Sequence, residues 1–164
     1  MRYFLIGLVV VIGLISFGFY HFRVVKKREY IKVKYSSSGN SLGNVDITEI
    51  YLDKKLVVSR YTPVHNEKVT VKEYKVSDKD IEEFRNILSS YNYYGLRLRR
   101  DSGLQILDGP STYVEFTLSN DEDAKIYYTL RLTKKDREAL KKVTDKLFSL
   151  KDEKKLKKEY KEEW

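Results

Sequence analysis

The chain has no cysteine, two prolines and two histidines. Without cysteine there is no disulfide, no thiolate nucleophile, no cysteine-ligated zinc and no acylated lipoprotein cysteine. The compartment stays open on this count, because a disulfide-free domain is stable on either side of a membrane. His21 closes an apolar run, which leaves His65, in "TPVHNEK", as the one imidazole of the remaining sequence. It sits in a Pro/Asn-containing connection, where an exposed turn residue is expected rather than a general base or triad member. A histidine-based metal cluster is thereby excluded, whereas an all-oxygen site is not. No Asn-x-Ser/Thr acceptor occurs either: Asn40 precedes Ser41-Leu42, the wrong order.

Acidic residues are absent from positions 1 to 28, and this absence reinterprets the net charge of +8. Arg2, Arg23, Lys26, Lys27 and Arg28 supply five positive charges there, leaving 27 basic and 24 acidic groups, a balance of +3, from Glu29 onward. Most of the excess flanks one segment, where anionic headgroups are its natural partner. The remainder is heavily charged but nearly balanced, which gives no warrant for a nucleic-acid surface.

That segment is "YFLIGLVVVIGLISFGFYHF", positions 3 to 22. Twenty residues make a helix about 30 Å long, the thickness of a bilayer's hydrocarbon core. A secretory signal has a shorter apolar core followed by small residues at a cleavage site. Here Phe17 to Phe22 is bulky at nearly every position a peptidase would want small, and a basic cluster follows at once. The pattern predicts a retained single-pass anchor in contact with membrane lipid. The positive-inside rule then places the following domain in the cytoplasm, with export to the other side as the alternative.

Beyond the anchor the patterning predicts an α+β domain over residues 29 to 150. Four alternating runs, "YIKVKYS", "VDITEIYL", "LVVSRYT" and "KVTVKEYKV", read as strands, and short connections favour antiparallel pairing. Ser77 with Asp80 then signals a helix start, and Ile81, Phe84, Ile87, Leu88 and Tyr91 fall on one helical face, with Gly95 a plausible stop. "TYVEFTLS" and "KIYYTLRL" add two strands around the polar turn Asn120 to Asp123, a run too compact for a calcium loop. The loop around Gly39 and Gly43 lacks both phosphate-binding fingerprints. Thr133 with Asp136 repeats the helix start before the stripe Leu140, Val143, Leu147 and Leu150. About six mostly antiparallel strands are thus expected, with two helices packed on one face. The second hairpin and helix echo the first at an offset of 56 residues, Ser77 against Thr133 and Asp80 against Asp136, as in a duplicated ββα unit.

The tail from 151 to 164 carries Leu156, Tyr160 and Trp164 at spacing four within a Lys/Glu run. This predicts a charged, solvated helical extension. The most suggestive surface stretch is "YNYYGLRLRRD". Tyr93 and Tyr94 with Arg97, Arg99 and Arg100 pair stacking rings with phosphate-seeking guanidinium groups. Against this, Tyr91 continues the apolar face of the preceding helix, and Leu96 and Leu98 alternating with Arg97 and Arg99 read equally well as a short charged edge strand. No catalytic residue, cofactor or metal ligand set is expected. The sequence therefore points to a membrane-anchored non-catalytic module that binds a protein or envelope component. The alternatives are a carboxylate-based hydrolase of envelope glycans, or anionic lipid or nucleic-acid binding through Arg97 to Arg100.

Overall fold

The computed structural model describes residues 29–38, 44–63, 68–98, 111–120, 122–128, 132–152 and 155–163. The expected anchor, its flanking Arg2, Arg23, Lys26, Lys27 and Arg28, and His65 lie outside the described residues. Within them no helix is long and apolar enough to cross a membrane.

The alternating runs form strands β1 (Tyr30–Ser38), β2 (Val45–Tyr51), β3 (Leu56–Thr62), β4 (Lys68–Lys75), β5 (Ser111–Leu118) and β6 (Asp123–Tyr127). A seventh, β7 (Leu156–Glu163), completes one antiparallel sheet of order β6-β5-β1-β2-β3-β4-β7. The hairpins β3–β4 and β5–β6 lie on opposite sides of the central β1–β2 pair. We call the end of the sheet where β1 begins the near end, and the end where it stops at Ser38 the far end.

Period-two alternation sends Val33, Ile50, Val57, Tyr74, Val114, Phe116 and Ile126 to one face, where the helices cover them. Helix α1 (Asp78–Ser89) contributes Ile81, Phe84 and Leu88, and α3 (Lys134–Ser149) contributes Leu140, Val143 and Leu147. Burying each such side chain stabilises the fold by about 1.5–3 kcal/mol. Both helices start where the capping residues predict. The Ser77 hydroxyl accepts from the Asp80 amide at 3.2 Å, and Thr133 and Asp136 form a complete capping box. The opposite face carries a smaller apolar cluster, Val58, Val69 and Val71, flanked by Tyr51, Leu56 and Tyr160. Beside it Glu49 is buried, but it is ion-paired with Arg60 and accepts from the Tyr51 hydroxyl at 3.2 Å.

Two expectations are corrected. The tail is a strand, not a helical extension, because β4 offers it a matching ladder. Lys68 faces Glu163, Lys72 faces Glu159 and Glu73 faces Lys158, so three charges of β4 meet their opposites across the pair. A register shift between Tyr74 and Glu73 leaves an extra residue on β7. Leu156 therefore packs into the main core while Tyr160 packs on the other face, where its hydroxyl donates to Glu73 Oε1 at 3.1 Å. On a helix, spacing four would have put both on one side.

The second correction concerns "YNYYGLRL", read as a helix stop and a possible edge strand. It forms a short third helix, α2 (Tyr93–Leu98), after α1 has ended at Ser89. Asn92 starts it: its Oδ1 accepts from the Gly95 amide at 2.8 Å. A Cβ at Gly95 would lie 2.6 Å from the Asn92 side chain, so glycine here makes room for a cap.

Candidate functional site

The expected binding surface is dispersed. Tyr93 is fully buried, a correction to its reading as a surface ring. It stacks on Phe116 with centroids 4.6 Å apart, and its hydroxyl donates to the Ala139 carbonyl at 3.2 Å. Burial pushes that hydroxyl well above the usual tyrosine range, with the neighbouring Tyr30 and Tyr91 adding to the shift. Tyr94 is half-buried against the same core. The Arg97 side chain, Arg99 and Arg100 lie outside the described residues.

A different constellation stands at the far end. The pairing register aligns Ser37, Asp46 and Tyr61 across β1, β2 and β3, and the adjoining row holds Tyr35 and Thr48. Both rows lie on the helix-covered face, but α3 stops at Ser149 before it covers the last of them. Its final turn supplies Phe148, and Lys151 follows the cap. Together with Asn44, Tyr35, Ser37, Asp46 and Tyr61 they line a cleft of about 200 Å³.

Its walls are aromatic and its polar groups are of mixed sign. Phe148 meets Tyr35 edge-on, with centroids 5.0 Å apart. Phe148 and Tyr61, at 38% and 41% exposed, are the large hydrophobic side chains left open to solvent among the described residues, and both border this cleft. The Lys151 ammonium sits 4.6 Å from the Phe148 ring centroid and 3.5 Å from Thr48 Oγ1, the outer limit of a hydrogen bond. Burial lowers its proton affinity below that of an ordinary lysine, a shift that the negative charge of Asp46 opposes. On the floor, Ser37 Oγ shares a 3.2 Å hydrogen bond with Thr112 Oγ1.

The cleft is smaller than the roughly 300–1,000 Å³ of a typical small-molecule or cofactor site. It suits one side chain or one sugar ring presented by a larger partner. Aromatic walls would pack on an apolar face, while Lys151, Asp46 and Ser37 would hydrogen-bond to hydroxyl, amide or carboxylate groups. Asp46 is the one carboxylate among the described residues that line the cleft. No group of three or more His, Cys, Asp or Glu residues is placed to hold a metal among the described residues.

The sequence did hold one signal for this cleft. Phe148 lies off the α3 stripe, a bulky ring on a position the core does not use. Comparison with known proteins adds nothing to the geometry: no family model, curated protein or solved structure matches the chain.

Proposed function

We propose that this chain is a single-pass membrane protein whose α+β domain is a non-catalytic binding module. It grips a protein or other envelope component at the membrane surface. The observation that carries this reading is the convergence of Tyr61, Phe148 and Lys151 on one cleft. Exposed aromatic rings beside a half-buried cation are the composition of a recognition site, not of a surface selected only for solubility. The apolar stretch at 3 to 22 and its basic flank support the anchor, and the same flank favours the cytoplasmic side. The echo between β3–β4–α1 and β5–β6–α3 fits a duplicated ββα unit, with both helices laid on one face of the sheet.

The test is site-specific photo-crosslinking in intact cells, with a benzophenone amino acid in place of Tyr61 or Phe148. A defined adduct is expected at both positions, with none at Lys142 on the exposed side of α3, and Lys151→Met should abolish it. Adducts no stronger at 61 and 148 than at 142 would remove the cleft as a binding site.

A further inference from the structure

At the near end, the close of β4 and the start of β7 enclose an open groove of about 440 Å³ lined by Lys75, Val76, Ser77, Lys155, Leu156 and Lys157. Val76 and Leu156 give it an apolar floor between three ammonium groups. Lys155 is committed to Asp80, 3.0 Å away. Lys75 and Lys157 make no ion pair among the described residues. The acids nearby are largely satisfied. Asp78 pairs with Lys55, Asp80 also with Lys146, and Glu29 with Arg85, which leaves Asp53 in the β2–β3 turn.

We infer that this groove binds the headgroup phosphate of an anionic phospholipid and holds the near end of the sheet against the bilayer. The inference rests on the anchoring reading and adds an orientation to it. The apolar stretch ends at Phe22, and residues 23 to 28 join it to Glu29. Seven Cα–Cα steps reach at most about 25 Å, so the start of β1 stays close to the lipid. The register runs from Lys32 to Tyr51, Leu56, Lys75 and, one step on, from Tyr74 to Leu156. The groove therefore lies in the same end row as the start of β1. Three strand spacings, about 14 Å, separate β1 from β4.

Anionic phospholipid fits both halves of the groove. Ammonium groups complement the phosphate, and the apolar floor accepts the glycerol end of the acyl chains. Four of the six tether residues are basic, so tether and groove present charge of one sign to the same surface. The far end stands about 23 Å away along seven-residue strands, roughly two to three Debye lengths from the headgroup charge, which leaves its cleft open to a partner.

The test exploits the absence of cysteine. The full chain carries one fluorophore, at Asn120→Cys in the near-end β5–β6 turn or at Thr62→Cys at the far end. It is incorporated into nanodiscs of phosphatidylcholine with or without phosphatidylglycerol, and quenching by a headgroup-attached quencher is measured. With phosphatidylglycerol, strong quenching at 120 and weak quenching at 62 are expected. Replacing Lys75 and Lys157 by Gln should shift the docked-to-undocked ratio about 25-fold, at roughly fivefold per lysine. Removing Lys135 and Lys142 from α3 should leave it unchanged. Equal quenching at the two sites, or equal loss with the α3 pair, would overturn the groove while leaving the anchor standing. A chain that enters neither disc would overturn the anchor, and the groove with it.

Discussion

The two ends of the sheet are finished in opposite ways. At the near end, five ion pairs tie the start of β1, the β2–β3 turn, α1, α3 and the approach to β7: Glu29–Arg85, Lys55–Asp78, Asp80–Lys146, Glu83–Lys146 and Asp80–Lys155. At the far end, two hydroxyl pairs, Ser37–Thr112 and Ser38–Ser111, close the β1–β5 contact, and the helix layer stops short. The core between them is continuous, so both ends are equally available for charge locks or for open aromatic rings. One end is fastened and the other is left unfinished. This division of labour suits the tethered recognition domain proposed above: rigidity at the end that the proposal holds to the membrane, and accessible surface at the end that it offers to a partner.

The largest effect expected is at Asp80. Its carboxylate accepts from the Ser77 hydroxyl, Lys155 and Lys146, and these partners, in that order, hold it well below the usual carboxylate range. Asp80→Ala should cost about 2 kcal/mol by stranding Lys155, removing one of the two carboxylate partners of Lys146 and weakening a helix cap, a fall in Tm on the order of 5–10 °C. Partner crosslinking at position 61 should survive it. If crosslinking fails with stability restored by ligand or osmolyte, the two ends are coupled and the division is wrong.

The sign of the acid response follows from the same group. Asp80 binds protons less readily in the folded than in the unfolded chain, so its stabilisation is present at neutral pH and lost as pH falls through about 4 and below. Denaturant titrations at a series of pH values should show the wild type losing stability in acid more steeply than Asp80→Asn. Parallel curves would mean that Asp80 does not lock the near end.

At the far end the pattern reverses. Tyr61→Ala with Phe148→Ala should change stability by no more than about 1 kcal/mol, because both rings are substantially exposed, yet remove partner binding. A large loss in Tm would recast the cleft as core. Smallest of all is the effect of Lys151→Met on stability. Its amine is already disfavoured as a cation by burial, so the folded state sheds that proton first. Wild-type stability should therefore rise slightly relative to the methionine variant as pH climbs toward the ordinary lysine value of about 10.4. A falling difference would show that Lys151 is held by an ion pair instead.

The sequence made the six alternating strands and both capped helices legible because each is specified locally, by period and by cap. Strand β7 was not, since its Lys/Glu run satisfies helical spacing equally well. Only the complementary charges of β4, far away in the chain, decide between the two. Helix α2 hid behind Gly95, whose role as a space for the Asn92 side chain needs a three-dimensional reading. Apart from Phe148 standing off the α3 stripe, the cleft was hidden for a similar reason. Ser37, Asp46 and Tyr61 meet only through register, and their exposure depends on where α3 happens to stop.

Strand β7 also has a consequence for biogenesis. Glu73 and its partner Tyr160 are 87 positions apart. At a synthesis rate of about 5–20 residues per second, β4 leaves the ribosome on the order of ten seconds before the strand that covers it. Throughout that interval its hydrogen-bonding edge is a template for mispairing with other nascent chains. The lysines at 68, 72 and 75 repel such company, and β7 later faces two of them, Lys68 and Lys72, with Glu163 and Glu159. The charged edge thus serves twice, first as a guard during translation and then as an address for the last strand.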